Sequence, residues 1–423
     1  MPQSKNHKSL FSFFKSTALL FFGNLAIGAL VYILQVIMGR LMGVIDYGLF
    51  SASMGIFNIA ALPVSSLVMV VTKKVAIENA RGNKEVVAAF WNLAIKRTQI
   101  GFLSVIIIGL VFSSFISKTL ETDSYFSIIF LIVAIGFNIF LLVLTATLQG
   151  LQSFNLLVIG NTGVQLFRIA LCFLLVRYGY GVLGAMGGIC LSVMLGCLFF
   201  WVTLNYLSPR TRHSISQEKI FSSKEAIILT ISNLAFVCMT QSDYIIMRIH
   251  CLPETAGLYS AGAMLAKSIL WLPVGIVIAL YPIVAGRQAN QMQSKHLLSF
   301  SLGMAFVFSA LLTILLAGWS SELITWLYGA KFSASAKYLR YLSISYLPLS
   351  LVLVMDNYQL ALGKARFIPF YVLGASSQWL IFGFFDANSD SMLIIHATQS
   401  VVCFTYAIFL LFRESSTVPA MKA

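Results

Sequence analysis

Asn24-Leu25-Ala26-Ile27-Gly28-Ala29-Leu30-Val31-Tyr32-Ile33-Leu34-Gln35-Val36-Ile37-Met38 is an apolar run with a few small and polar residues set into it. Half a chain later, Asn233-Leu234-Ala235 opens a second run of the same kind. The two copies align without a gap from Asn24 to Ala76 and from Asn233 to Ala285. Met38 then meets Met247, Gly48-Leu49 meets Gly257-Leu258, Ser51-Ala52 meets Ser260-Ala261, and Val75-Ala76 meets Val284-Ala285. Both copies lie in apolar segments of membrane-spanning length. Duplication of such segments is how many transporters are built, with the substrate site between the repeats.

Composition agrees with that reading. The chain of 423 residues is 59% hydrophobic and 10% charged, with a mean hydropathy of +0.90. A soluble globular domain carries about 25% charged residues, so this is a polytopic membrane protein. Runs of about 20 apolar residues occur at 16–38, 47–71, 98–117, 125–148, 155–176 and 182–206, then at 226–248, 257–283, 297–317, 338–361, 367–385 and 391–411. The expected fold is all-α, with about twelve transmembrane helices in two parallel-repeat six-helix bundles around a central cavity. The domains expected are 1–207, a basic cytoplasmic linker at 208–225, and 226–423. No cleavable signal peptide is evident, because no small-residue cleavage site follows the basic start and Ser16–Met38 is long enough to span.

Charge orients the helices. If the N-terminus is cytoplasmic, the turns and tails on that side hold nineteen Lys and Arg, and the opposite side holds seven: Arg40, Lys118, Arg177, Arg248, Lys331, Lys337 and Arg340. That asymmetry places both termini inside. Six helices per repeat start both halves on the same side, which makes the repeats parallel and excludes inverted ones. The net charge of +14 is thereby accounted for by short loops rather than by nucleic-acid binding. Five of the six cysteines lie inside apolar runs with no C-x-x-C and no His cluster, so neither a disulfide frame nor a metal site is expected. No cofactor is expected either. Gly181-Val182-Leu183-Gly184-Ala185-Met186-Gly187-Gly188 opens an apolar helix with no strand before it, so it reads as close helix packing rather than a phosphate loop.

The polar residues inside the spans carry the functional reading. Arg168, Lys267, Asp243, Asp356 and His396 fall within apolar runs. A charge at mid-membrane costs about 2.5–3.5 kcal/mol on the insertion scale, so each needs a partner or a wet cavity. Helix rise places Arg168 roughly 20 Å and Lys267 roughly 15 Å into the membrane. Asp243 and Asp356 fall nearer the outer and inner rims. Two readings stand: structural ion pairs between neighbouring helices, or a cationic cavity in which Arg168 and Lys267 hold an anionic headgroup. Asn161, Gln165 and Arg168 share one helix face. Similar lines run through Asn24, Gly28 and Gln35, through Ser51, Asn58 and Ser65, and through Asn233, Thr240 and Tyr244. Pro63, Pro273 and Pro348 lie within spans and mark expected bends.

Gly39-Arg40-Leu41-Met42-Gly43-Val44-Ile45-Asp46-Tyr47-Gly48-Leu49-Phe50-Ser51 resembles the first-loop signature of the polysaccharide-exporter branch of the multidrug/oligosaccharidyl-lipid/polysaccharide exporter superfamily. Its second-half counterpart is Asp243-Tyr244-Ile245-Ile246-Met247 with Gly257-Leu258-Tyr259-Ser260-Ala261. Leu148-Gln149-Gly150-Leu151-Gln152-Ser153-Phe154 is similar to the family's turn between the fourth and fifth helices. Two departures are visible: Ile249-His250-Cys251-Leu252 lacks the Arg-x-x-Gly of the first copy, and the chain is two helices short of the fourteen of lipid II flippases.

The resemblance implies a V-shaped pair of bundles that open alternately inward and outward. It also implies flipping of an undecaprenyl-diphosphate-linked oligosaccharide, an O-antigen or related repeat unit, to the outer leaflet of the bacterial inner membrane. On that reading Arg168 and Lys267 hold the diphosphate, Arg40 stands at the outer mouth, and Asn161, Gln165, Asn24 and Asn233 face the sugars. Asp243 and Asp356 are the candidates for H+ or Na+ coupling. Other polysaccharide-assembly membrane proteins are further candidate partners. The rival readings are a multidrug exporter, which calls for an acidic cavity, and a membrane-embedded polymerase or ligase, which calls for a large catalytic loop that is absent between these spans.

Overall fold

The computed structural model describes residues 3–122, 124–207, 224–289, 295–385 and 388–416. Residues 208–223, nearly all of the expected linker, lie outside the described residues. Among the described residues every regular element is helical. In the first half these are α1 (Gln3–Met42), α2 (Val44–Ala61), α3 (Ser65–Ala80), α4 (Lys84–Thr119), α5 (Tyr125–Gly150), α6 (Phe154–Leu175) and α7 (Gly181–Leu207). The second half contains α8 (Lys224–His250), α9 (Pro253–Ala266), α10 (Ser268–Ala289), α11 (Lys295–Gly318), α12 (Ser320–Tyr328), α13 (Ser335–Ala361), α14 (Ile368–Phe384) and α15 (Ser389–Ser416). Each of the twelve apolar runs coincides with one helix or a consecutive pair, and α12 is a short addition in the 318–337 connection. Among the described residues nine helical stretches are both long and apolar enough to cross a membrane, with α6 and α7 joined in one of them.

The second run of each half is the one that breaks. Between α2 and α3 the chain tightens at Leu62–Val64. Pro63 supplies the reason, since it has no N–H to give and its ring crowds the preceding turn. The equivalent break separates α9 from α10 at Lys267, where the Lys267 amide still bonds Ala263 O at 2.9 Å and the Leu270 amide turns back to Lys267 O at 3.0 Å. The bend expected at Pro273 is therefore found six residues earlier, at a residue whose side chain is tied to a neighbouring helix, and Pro273 continues within α10.

Two compact units divide the chain. One comprises Met1–Met42 with Ser53–Thr230, the other Gly43–Ala52 with Ile231–Ala423. In the first unit α5 is central, packed by α3, α4 and α7, while α6 lies against α7 and α1. Val71, Val75, Val87, Ala94, Val143 and Ala146 form one of its cores. The glycines of α7 act as the sequence implies: a Cβ on Gly188 would stand 2.7 Å from the Cys172 amide nitrogen, and one on Gly184 2.9 Å from the Leu175 carbonyl carbon. The connection between the two helices, Val176–Tyr180, turns through Gly179 at φ 92°, a conformation that costs glycine nothing.

In the second unit α13 is central and touches α9, α10, α11 and α15. The Gly43–Ala52 segment, the first turns of α2, is seated in this unit. Tyr47 is fully buried there, its hydroxyl 3.2 Å from that of Tyr328, with its ring edge-on to Tyr328 and Phe332 at 5.5 and 5.7 Å. Such ring pairs add about 0.5–1.5 kcal/mol each beyond area burial. Gly48 packs on Gly257: a Cβ on Gly48 would come within 2.8 Å of the Gly257 nitrogen. These two glycines are the pair that the internal duplication aligns.

Candidate functional site

Arg168 sits on α6 of the first unit and is half-buried. Its Nε donates to the Ser192 hydroxyl of α7 at 3.3 Å. Among the described residues it has no carboxylate within ion-pairing distance. Gln165, one turn earlier on the same face, is 4% exposed, and its Nε2 finds no acceptor among the described residues. Asn161, a further turn back, is half-buried. The polar line read on α6 is thus a donor-rich stripe carrying an uncompensated cation inside an apolar segment.

Lys267 has a different environment from the one expected of it. It belongs to the second unit, is 3% exposed, and its Nζ lies 2.8 Å from Asp243 Oδ1 and 3.4 Å from the centre of the Tyr244 ring. Tyr259 donates to Asp243 Oδ2 at 2.9 Å, and His396 Nε2 stands at 3.5 Å from the same oxygen. The Tyr346 ring packs edge-on against His396 at 5.5 Å. Both carboxylate oxygens are occupied, and the ammonium is sealed by a carboxylate and an aromatic face. In this conformation Lys267 is not presented to a headgroup, and the ion-pair reading applies to it.

The expected difference in depth between Asp243 and Lys267 does not keep their side chains apart. Side chains on a helix lean toward its N-terminus. The long lysine stem therefore runs back along α9 toward the α8–α9 turn, and the aspartate leans along α8 away from it. A backbone offset of about 10 Å, estimated from helix rise, closes in this way.

Asp356, on α13, is 4% exposed and accepts from the Ser232 hydroxyl of α8 at 3.3 Å. Its other oxygen meets no donor in good hydrogen-bond geometry among the described residues, and the Tyr371 hydroxyl of α14 lies near the carboxylate. This is a buried acid with no cation at ion-pairing distance among the described residues. Asp356→Asn keeps the shape and the acceptor, so thermal denaturation of the purified protein should be unchanged. Asp356→Leu should cost about 1–3 kcal/mol, because it strands the Ser232 hydroxyl in the core.

The remaining expected residues are scattered. Arg40 is exposed at the last turn of α1, and Asn24 and Asn233 are exposed on α1 and α8. The other polar lines do not face one environment: Gln35, Ser51 and Thr240 are buried whereas Asn58 is exposed. Thr240 bonds back to the carbonyls of Phe236 and Val237 in its own helix. Four participants carried no mark in the sequence. Ser192 and Tyr346 read as ordinary span residues, and so do Gln378 and Gln399, which bond each other at 3.2 Å and the carbonyls of Met239 and Gly374 at 2.8 Å. The one available signal was hydrogen-bonding capacity within an apolar run.

Two helical units, each with ionisable residues buried in its spans, make up a polytopic membrane protein, and its fold is that of transporters of the multidrug/oligosaccharidyl-lipid/polysaccharide exporter superfamily. The chain belongs to the polysaccharide biosynthesis protein family, whose profile matches residues 13–288. Among solved structures it is similar to an inward-facing multidrug-resistance MATE transporter, at 13% identity over 92% of this chain and 96% of that one, with a TM-score of 0.72. A superfamily transporter from Pyrococcus furiosus, described as having a binding pocket of reversed polarity, aligns at 12% identity over 94% and 95% with a TM-score of 0.61. A eukaryotic MATE transporter aligns at 16% identity over 94% and 95% with a TM-score of 0.64. Identities this low carry the fold alone. No curated protein matches the chain significantly.

Proposed function

We propose that this protein flips an undecaprenyl-diphosphate-linked oligosaccharide, an O-antigen or related surface-polysaccharide repeat unit, from the cytoplasmic to the outer leaflet of a bacterial inner membrane. Both termini are cytoplasmic in this reading, and transport proceeds by alternating access. The observation that carries it is Arg168, an intramembrane guanidinium with no acidic partner among the described residues. A free cation at that depth is costly, and a diphosphate is the ligand whose paired oxygens suit an Arg fork. Membership of a polysaccharide biosynthesis family supports the sugar-lipid cargo. The same unpaired cation disfavours a cationic-drug exporter.

Asn161 and Gln165 continue the cargo path on α6, and Arg40, Asn24 and Asn233 are exposed enough to meet the saccharide. Asp356, buried with no cation at ion-pairing distance among the described residues, is the better of the two coupling candidates for H+ or Na+, since Asp243 is already neutralised by Lys267.

The test uses purified protein in proteoliposomes loaded with a fluorescent undecaprenyl-diphosphate oligosaccharide, read by accessibility to a membrane-impermeant quencher. Arg168→Ala should lower the flipping rate at least about 100-fold, the scale of a lost bidentate charge-assisted contact, and Arg168→Lys should recover only part of it. Unchanged flipping in Arg168→Ala would reject the proposal. Efflux of cationic dyes would favour the drug-exporter reading, and a lengthened saccharide would favour an enzyme.

A further inference from the structure

Ser192 lies opposite Arg168 because of how α7 is built. Gly184, Gly188, Ser192 and Gly196 recur at every fourth position and form one small-residue face. That face meets α6 in antiparallel register: the glycine positions abut Leu175, Cys172 and Val164 in turn. The register then sets Ser192 against Arg168. Three positions of the stripe carry no side chain, and the fourth carries a hydroxyl.

The direction of each hydrogen bond is determined. A serine hydroxyl has a single hydrogen, and Ser192 directs it to the Ile189 carbonyl of its own helix at 2.7 Å. Only its lone pairs are left for Arg168, whose Nε donates to them at 3.3 Å. Ser192 is fully buried, so water does not compete for that position. With Nε engaged by Ser192, the two Nη groups are the edge left to match two oxygens of a phosphate. Gln165 adds the unsatisfied amide donor on the same helix face.

We infer that Ser192 is a positioning residue that orients the Nη edge of Arg168 toward the anionic diphosphate headgroup, with Gln165 as the adjoining donor. This rests on the diphosphate cargo proposed above. A serine present only because α6 and α7 approach closely could be replaced by alanine without consequence, since alanine is smaller and keeps the stripe. A serine that orients Arg168 could not.

The experiment measures binding of undecaprenyl diphosphate to the detergent-purified full chain, with uncharged undecaprenol as the comparison lipid. Ser192→Ala should weaken undecaprenyl diphosphate binding about tenfold, the scale of one hydrogen bond to a charged group, and leave undecaprenol binding and the melting temperature unchanged. Ser192→Cys, nearly isosteric but a poor acceptor, should behave like Ser192→Ala. Wild-type affinity in both variants overturns the inference, and so does an equal loss for both lipids, which is a packing effect. Arg168→Ala separates the two levels. If it weakens diphosphate binding while Ser192→Ala does not, the inference alone falls. If Arg168→Ala also binds normally, the diphosphate reading falls with it.

Discussion

Lys267→Met is expected to destabilise the second unit by about 3–5 kcal/mol, the scale for removing one partner of a buried ion pair. The loss leaves Asp243 charged and enclosed, with Tyr259 and His396 as its remaining side-chain partners. The double variant Asp243→Leu with Lys267→Met should recover most of that stability, because removing both charges also removes the cost of desolvating them. Thermal denaturation of the purified protein checks both outcomes. A single variant as stable as wild type would mean that the 2.8 Å contact contributes nothing to the fold. The double variant has a second use: a protein that folds but no longer flips cargo would show that the network serves transport as well as packing.

Gly257→Ala is the second large effect. The added Cβ would collide with the Val44 carbonyl oxygen and come within 2.7 Å of the carbonyl carbon. Backbone cannot swing aside as a side chain can, so accommodation means lifting the Gly43–Ala52 segment from its seat. Overpacking of this kind costs about 1–3 kcal/mol, and more where backbone must move. The lifted segment takes Tyr47 with it and breaks its packing against Tyr328 and Phe332. A cysteine introduced at Tyr47 in the Gly257→Ala background should therefore label rapidly with a membrane-impermeant maleimide, whereas the same cysteine with Gly257 intact should label slowly. Gly303→Ala is the control, since nothing lies within 4 Å of the position its Cβ would take. Equal labelling in both backgrounds would show that the segment is not held by this contact.

Much of the fold was legible before any coordinates. Apolar runs of spanning length, the duplicated Asn-Leu-Ala openings and the basic loops depend on composition and spacing, which the bilayer itself imposes. The expected use of close packing, Gly181 to Gly188 on α7, rests on glycine having no side chain, and that property is local; the Gly48/Gly257 equivalence was visible as an alignment, and its packing only in the structure. Arg168 was legible for a related reason. A guanidinium inside an apolar segment is anomalous wherever it points.

What the chain alone could not decide was which buried charge has found a partner. Lys267 and Arg168 look equivalent as letters, one intramembrane base in each half. Packing makes them opposite, because Asp243 lies within reach of the lysine stem while the arginine donates to a serine and has no carboxylate at ion-pairing distance among the described residues. The same holds for the break at Lys267 instead of Pro273 and for the seating of Gly43–Ala52 among residues of the other half. Periodicity and hydropathy are properties of one helix at a time, and they determined that this protein is a duplicated helical membrane protein. Neutralisation of a charge requires an atom from a second helix at about 3 Å, and only the tertiary structure brings that atom into place.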